Sequence, residues 1–586
     1  MKDACAAIPR GMHRSAPAVS GAVPRRSLSA LVLALPLVII AGQAAALPSK
    51  IILLSQTSRG FTAEGRSEAP AVNANGIFTA YASDALNLVA PPFTNTLNQV
   101  YARNVEIILS GLVSESSAGT PGNKASQNSG FPPGISADGH VIVFSSLANN
   151  LVPGDTNNLE DVFVVDTKLN TIELVSQGID GPGDGPSTFP KISADGRFIV
   201  YQSLATNILG LDNHGVPDIF VYDREQNATI LVSLNRDGEP PNGASITPDI
   251  SEDGRVVAYA SRATDLVDEP TNGAFEQIYV IDLDQQLTQL VSVSTAGRAG
   301  NGISFLPDLS RNGSQVAFKS EAFNLVPNDT NGVPDVFVRD RTNSTTQRVS
   351  VDSFGNQSNS LSGGPGISGD GRFVAFASFA SNLVPEDGNG QSDVFVYDRF
   401  PPNRPQGQIA IVTVGFNGQP PNNGVSDFPV TMSSDGRWIG FASAASNLVP
   451  NDLNNDVDAF LACNPFDAFA CAPPTATPGA TPTKTPDPQS CAGDCNGDGA
   501  VMIDDLIRMV NIALALAPLC PDDVNGGCLA GDATCDCEIT VDDIVRAVQN
   551  SLQGCHDFVQ CGDAEHEQMC CEAPAASPTA TPPSGP

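Results

Sequence analysis

An Asx-Gly turn followed by an apolar strand recurs seven times along this chain, at Asn75-Gly76, Asp138-Gly139, Asp195-Gly196, Asp253-Gly254, Asn312-Gly313, Asp370-Gly371 and Asp435-Gly436. The intervals are 63, 57, 58, 59, 58 and 65 residues. Self-similarity at such a period restricts a fold to stacked or closed arrays of one supersecondary unit. Around each turn the order is the same: a short Pro-containing strand, the turn, a strand such as Phe373-Val374-Ala375-Phe376, a loop, a strand such as Asp393-Val394-Phe395-Val396-Tyr397-Asp398, and a strand ending Val-Ser. Each unit therefore has four strands. Asx-Gly favours positive φ, so a type I′ hairpin is expected at each turn.

A four-stranded sheet has two apolar faces and cannot bury them alone, so the units stack face to face, and a closed ring of them is a β-propeller. The ends of the array indicate closure. The seventh unit stops at Phe460-Leu461-Ala462-Cys463 without its Val-Ser strand, whereas Lys50-Ile51-Ile52-Leu53-Leu54-Ser55 is a strand of that type with no unit of its own. The reading is all-β: a seven-bladed β-propeller over residues 47–463, its last blade completed by the N-terminal strand, with a small helical calcium module following.

The strings Ile192-Ser-Ala-Asp-Gly-Arg197, Val374-Ala-Phe-Ala-Ser378 and Asp393-Val-Phe-Val-Tyr-Asp-Arg399 resemble the WD-repeat-like propeller blades of the TolB type, over roughly residues 50–463. The resemblance implies a fold and little else, because propellers host binding proteins, lyases and hydrolases alike. These blades exceed the length usual in that family through the loop between the second and third strands. That loop repeats Asp-x-Asn-x-x-x-Asp, as Asp155, Asn157, Asp161; Asp329, Asn331, Asp335; Asp387, Asn389, Asp393; and Asp452, Asn454, Asp458, with Asp212, His214, Asp218 as a variant. Alternate oxygens suit Ca²⁺. Equally, Asx side chains cap their own backbone in long turns. The pattern alone leaves both open.

Residues 1–46 place Arg10, Arg14, Arg25 and Arg26 before a 13-residue apolar run, Leu28 to Ile40, and end in Ala44-Ala45-Ala46. This is the pattern of a signal peptide cleaved after about Ala46, which implies a secreted or cell-surface protein. The run is too short to span a bilayer. The whole chain has 30 basic and 64 acidic residues, a net charge of -34. Removing five basic residues and one acidic residue with the leader leaves 25 against 63, or -38. Such a surface repels nucleic acid and acidic membranes and attracts cations. After cleavage 12 cysteines remain, all at or beyond Cys463. In an exported chain they read as disulfides that staple a small module, not as a zinc site.

The stretch 464–490 contains a Pro/Thr-rich spacer, and a similar tail occupies 573–586. Between them, 491–572 holds 16 acidic and two basic residues. Asp494, Asn496, Asp498 and Asp505 stand at positions 1, 3, 5 and 12 of an EF-hand-type loop, with Gly499 at 6 and the Ala500 carbonyl at 7. A looser copy offers Asp532, Thr534, Asp536, the Glu538 carbonyl and Asp543, with Cys537 in place of the glycine. Each loop precedes an apolar stretch at helical spacing. The pair resembles a type I dockerin, which implies Ca²⁺ as cofactor and a cohesin-like protein partner. The hydroxyl pairs usual at loop positions 10 and 11 are replaced by Ile503-Asp504 and Val541-Asp542.

No Gly-x-Ser-x-Gly elbow occurs, and only four histidines follow the leader. No catalytic residue is assigned. The expected function is binding or scaffolding, with a glycan or protein ligand on the propeller and the module as tether. The alternatives are an enzyme or accessory factor of extracellular polysaccharide breakdown, for which a carboxylate pair near the propeller axis would speak, and a calcium-rigidified structural surface protein.

Overall fold

The computed structural model describes residues 51–467 apart from 58–59, 90–96, 128–129, 211–214, 272, 403–405, 427–428 and 451. Within them seven four-stranded antiparallel sheets follow one another, six of them with strands in chain order. Blade 1 is Ser67–Val72, Phe78–Ser83, Gln99–Asn104 and Leu109–Leu112, and blade 6 is Ser362–Ile367, Phe373–Ser378, Asp393–Asp398 and Gln408–Ile411. Blade 7 is Thr431–Met432, Trp438–Ser443 and Asp458–Cys463, completed by Ile51–Leu53. Seven buried apolar clusters lie between neighbouring blades, including one that unites Leu54, Tyr81, Tyr101 and Leu461 from blades 7 and 1. An open array of seven blades would have six such seams, so the ring is closed.

The clasp was legible in the sequence, and its register reproduces that of the other blades. Ile51, Ile52 and Leu53 pair with Ala462, Leu461 and Phe460. The Val-Ser signature has a specific task. In every blade the first residue of the third strand (Gln99, Asp161, Asp218, Gln277, Asp335, Asp393, Asp458) accepts a hydrogen bond of 2.5–2.7 Å from the hydroxyl just past the fourth strand (Ser114, Ser176, Ser233, Ser292, Ser350, Thr413, Ser55). The same hydroxyl accepts the next N–H of the third strand, as Ser55 Oγ does from Ala459 N at 3.1 Å. Ser55 thus performs for blade 7 what Ser350 performs within blade 5.

The turns differ from the expected type I′. Only the glycine of each Asx-Gly pair has positive φ, from 65° to 79°. In blade 2, Gly139 N donates to Ser136 O (2.9 Å), while Asp138 Oδ1 accepts from Ser136 Oγ (2.7 Å) and His140 N (3.1 Å). This is a type I turn followed by a left-handed glycine. In the five blades whose Asx is Asp, a serine two residues earlier donates to its side chain and helps to hold the turn. Glycine is required twice over, since a Cβ on Gly76 would stand 2.1 Å from the Trp438 ring and one on Gly139 would stand 2.4 Å from Phe78.

Each blade also buries one stacked aromatic pair across its second and third strands, from Tyr81–Tyr101 to Phe441–Phe460, at 5.6–6.1 Å between ring centroids. Such pairs add about 0.5–1.5 kcal/mol each beyond their burial. Cys463, the last residue of the third strand of blade 7, is disulfide-bonded. Among the described residues no helix is long and apolar enough to cross a membrane.

Candidate functional site

The calcium loops predicted at 494–505 and 532–543, with all ten of their ligands, lie outside the described residues. So do Asp212 and His214. The propeller itself presents three places where polar or apolar groups gather with chemical consequence.

The first is the axis. First strands of adjacent blades touch one another, so they line the centre of the ring. In five blades that strand carries a register shift with positive φ just before a proline, at Ala69, Phe189, Thr247, Leu306 and Gly364. The residue after the proline is Lys191 in blade 3, Asp249 in blade 4 and Asp308 in blade 5. Below them the turns are joined blade to blade: Ala137 N to Ala194 O (2.8 Å), Ala194 N to Glu252 O (2.9 Å), Arg311 N to Gly369 O (2.9 Å), Gly369 N to Ser434 O (2.8 Å) and Asn73 Nδ2 to Ala137 O (2.9 Å). Arg311 also reaches from blade 5 to Glu252 (2.9 Å) and to Ser434 of blade 7 (2.8 Å), which ties this end of the axis together.

The axial carboxylates answer the condition set for a hydrolytic pair, but each is engaged. Asp249 Oδ2 accepts Leu309 N at 2.8 Å, and Asp308 Oδ2 accepts Ile367 N at 2.7 Å, so each clamps the first strand of the next blade. Burial, then the neighbouring Asp249 charge, pushes Asp308 up to about 7, and burial raises Asp249 as well. Raised folded-state values mean that the native ring binds protons the unfolded chain has released. This stabilisation is complete below the unfolded pKa near 4 and is lost as the pH rises through about 7. With calcium chelated, the native protein should melt at a lower temperature at pH 8 than at pH 5, and Asp308→Asn should flatten that difference. Equal slopes for the two proteins would show that Asp308 takes no part.

The second place is the loop between second and third strands. Its asparagine behaves as a strut. Asn157 Oδ1 accepts Leu159 N (2.8 Å), while its Nδ2 donates to Asp161 Oδ2 (2.7 Å) and to Gly183 O (2.8 Å). Asn454 likewise accepts Asp456 N (3.1 Å) and donates to Ala63 O (3.0 Å). For the asparagines, the self-capping alternative holds. The first aspartate of each loop also faces the backbone N–H two residues on, from Asn157, Asn389 and Asn454, whereas Asp393 and Asp458 each keep one buried oxygen outside any hydrogen bond. Asp387 and Asp393, and Asp452 and Asp458, are at least 93% buried. Burial, and in addition the charge of the partner aspartate, raises Asp393 to about 6 and Asp458 to about 7. No three His, Cys, Asp or Glu side chains gather as a metal cluster among the described residues.

The third place was missed in the sequence. Six phenylalanines are prominently exposed among the described residues: Phe61, Phe323, Phe354, Phe379, Phe400 and Phe416. All except Phe400 lie at the end of the blades that carries the loops between second and third strands and between blades. By their place in the chain they belong to the loops of blades 5, 6 and 7 and the connections that follow each of them, an arc that also carries the exposed Leu361 and Leu453. Phe354 sits in a tight turn closed by Gly355 N to Asp352 O (3.0 Å), and Phe416 in one closed by Gly418 N to Gly415 O (2.7 Å). Turn geometry asks for Gly, Asn or Asp, and gains nothing from an exposed aromatic. The signal lay in Phe-Gly and Gly-Phe strings inside otherwise polar loops.

No family model and no curated protein matches the sequence. Solved structures with a similar fold include the β-propeller domain of the Trilobed protease from Pyrococcus furiosus, at 11% identity and TM-score 0.41, covering 68% of this chain and 93% of that one. A putative TolB from Agrobacterium tumefaciens gives 16% and 0.31, covering 48% and 80%. TolB from Acinetobacter baumannii gives 14% and 0.32, covering 68% and 79%.

Proposed function

We propose that this is an exported, non-enzymatic recognition protein whose propeller binds a glycan or protein through the phenylalanine arc of blades 5–7, while the C-terminal module tethers it in a calcium-dependent way to a cohesin-like partner. The arc carries the reading. Five exposed aromatics on the loops at one end of the ring offer stacking surface at little entropic cost, and exposed apolar groups concentrated in this way mark interaction sites. The disulfide at Cys463 accords with an oxidising compartment and hence with export. The tether rests on the sequence of 491–572 alone.

The test compares the full chain with a Phe323→Ser, Phe354→Ser, Phe416→Ser variant on a glycan array and in pull-downs from extracellular fractions. All three side chains are exposed, so melting should be unchanged while captured ligands fall at least tenfold. Retention of the same ligands by the variant would overturn the assignment. Polysaccharide cleavage is the second reading, favoured by the axial pair Asp249 and Asp308. Turnover abolished by Asp308→Asn would select it.

A further inference from the structure

The seven blades meet one electrostatic problem, the start of the third strand deep beneath a loop, in different ways. Blades 1 and 4 use a neutral glutamine. Gln99 accepts from Ser114 Oγ and donates to Gly122 O (3.2 Å), and Gln277 accepts from Ser292 Oγ and donates to Gly302 O (3.1 Å). One amide there replaces both the aspartate and the asparagine strut of the other blades. Blade 5 keeps the two aspartates and neutralises them. Arg348 Nη1 lies 3.1 Å from Asp329 Oδ1 and 3.3 Å from Asp335 Oδ2, all three side chains being almost wholly buried. Neither aspartate has a buried oxygen without a partner, although Arg348 Nε is left without one.

Blades 6 and 7 carry the same two aspartates without the arginine. Arg348 stands opposite Phe337, and the residues in the matching register are Ile411 opposite Phe395 and Leu53 opposite Phe460. The consequence is visible atom by atom. Both oxygens of Asp387, together with Asp393 Oδ2, Asp452 Oδ1 and Asp458 Oδ2, are buried with no hydrogen-bond partner. Asp387 is 7% exposed and Asp452 6%, and Asp393 and Asp458 are fully buried. Blade 2 is intermediate: Asp161 is satisfied by Ser176 and Asn157, Lys124 supplies a nearby positive charge to Asp155, and one oxygen of Asp155 is unpartnered. Buried anions left unpaired are among the most destabilising groups a core can hold.

The repeat geometry says what belongs in the gap. In blade 5 a single nitrogen touches one oxygen of each aspartate, so the loop converges its two carboxylates on one point. A Ca²⁺ ion sits 2.3–2.6 Å from carboxylate oxygens, which asks for only a slight inward movement from the arginine distances. We propose that the loops of blades 6 and 7 are two calcium sites, ligated by Asp387 with Asp393 and by Asp452 with Asp458, and that Arg348 occupies in blade 5 the place the ion occupies in its neighbours. Backbone carbonyls and water complete the coordination, as is usual for this ion. The sites are independent of the C-terminal module and of what the phenylalanine arc binds.

The experiment counts calcium per chain by equilibrium dialysis of the full-length protein, in which any contribution of the C-terminal module is common to all variants. Ile411→Arg installs the blade 5 solution in blade 6 and should remove one ion. Asp452→Asn should remove one from blade 7, and Arg348→Leu should add one to blade 5. Should Ile411→Arg fail to fold, Asp387→Asn serves for blade 6 with almost no change of shape. Unchanged counts in Asp387→Asn and Asp452→Asn would overturn the proposal and leave each pair sharing a proton instead. A count that falls by one in each, with Arg348→Leu gaining one, supports it.

Discussion

Deleting residues 50–56 should open the ring. The variant loses the fourth strand of blade 7, and with it the pairing of Ile51, Ile52 and Leu53, the bond from Leu54 N to Ala459 O (2.8 Å) and the one from Arg103 Nη1 to Gln56 O (2.8 Å). Leu53 and Leu54, both buried, leave the core, each worth about 1.5–3 kcal/mol. Asp458 loses the Ser55 hydroxyl, which donates to it at 2.5 Å. Allowing about 1–2 kcal/mol for that loss, the total is on the order of 5 kcal/mol or more, enough to unseat blade 7 under conditions that leave the parent folded. Limited proteolysis should cut first within 431–463, now an open edge. A deletion variant that melts with the parent would show that the clasp does not hold the ring.

The C-terminal module should give one tight and one weak calcium event when the oxidised fragment 491–572 is titrated by calorimetry. Gly499 lets the first loop turn at positive φ, so that the Ala500 carbonyl can face an ion held by Asp494, Asn496, Asp498 and Asp505. Cys537 denies the second loop that freedom at a cost on the order of 1 kcal/mol, and Thr534 is a weaker ligand than asparagine. Affinities should therefore differ by about tenfold or more. Asp498→Ala should abolish the tight event and Asp536→Ala only the weak one. Survival of the tight event in Asp498→Ala would remove the ligand assignment.

Repetition made most of the architecture legible. Turn, strand and Val-Ser signals that would be ambiguous once are spelled seven times, and an array with one strand missing at its end and one left over at its start points to its own closure. What repetition hides is where copies differ for a reason. Arg348 reads in sequence as one more surface arginine near a strand end, because nothing local says that its side chain turns inward to Asp329 and Asp335. The turn type escaped for a related cause: Asx-Gly suits both hairpins, and in five blades the side chain that holds the observed one is engaged by a serine two residues away, as Asp138 is by Ser136 Oγ. Exposed phenylalanines at loop tips look like core residues to any reading based on hydrophobicity alone.

The clasp also orders the life of the chain. Ile51–Leu53 is the first described strand to leave the ribosome, and its partner Asp458–Cys463 is the last. Closure of a loop of some 400 residues in an unfolded chain is entropically costly, whereas the same closure across six stacked blades joins ends already held near each other. Assembly is thus directional by construction. Blades 1 to 6 are complete in themselves, whereas the leading strand stays unpaired until blade 7 is in place.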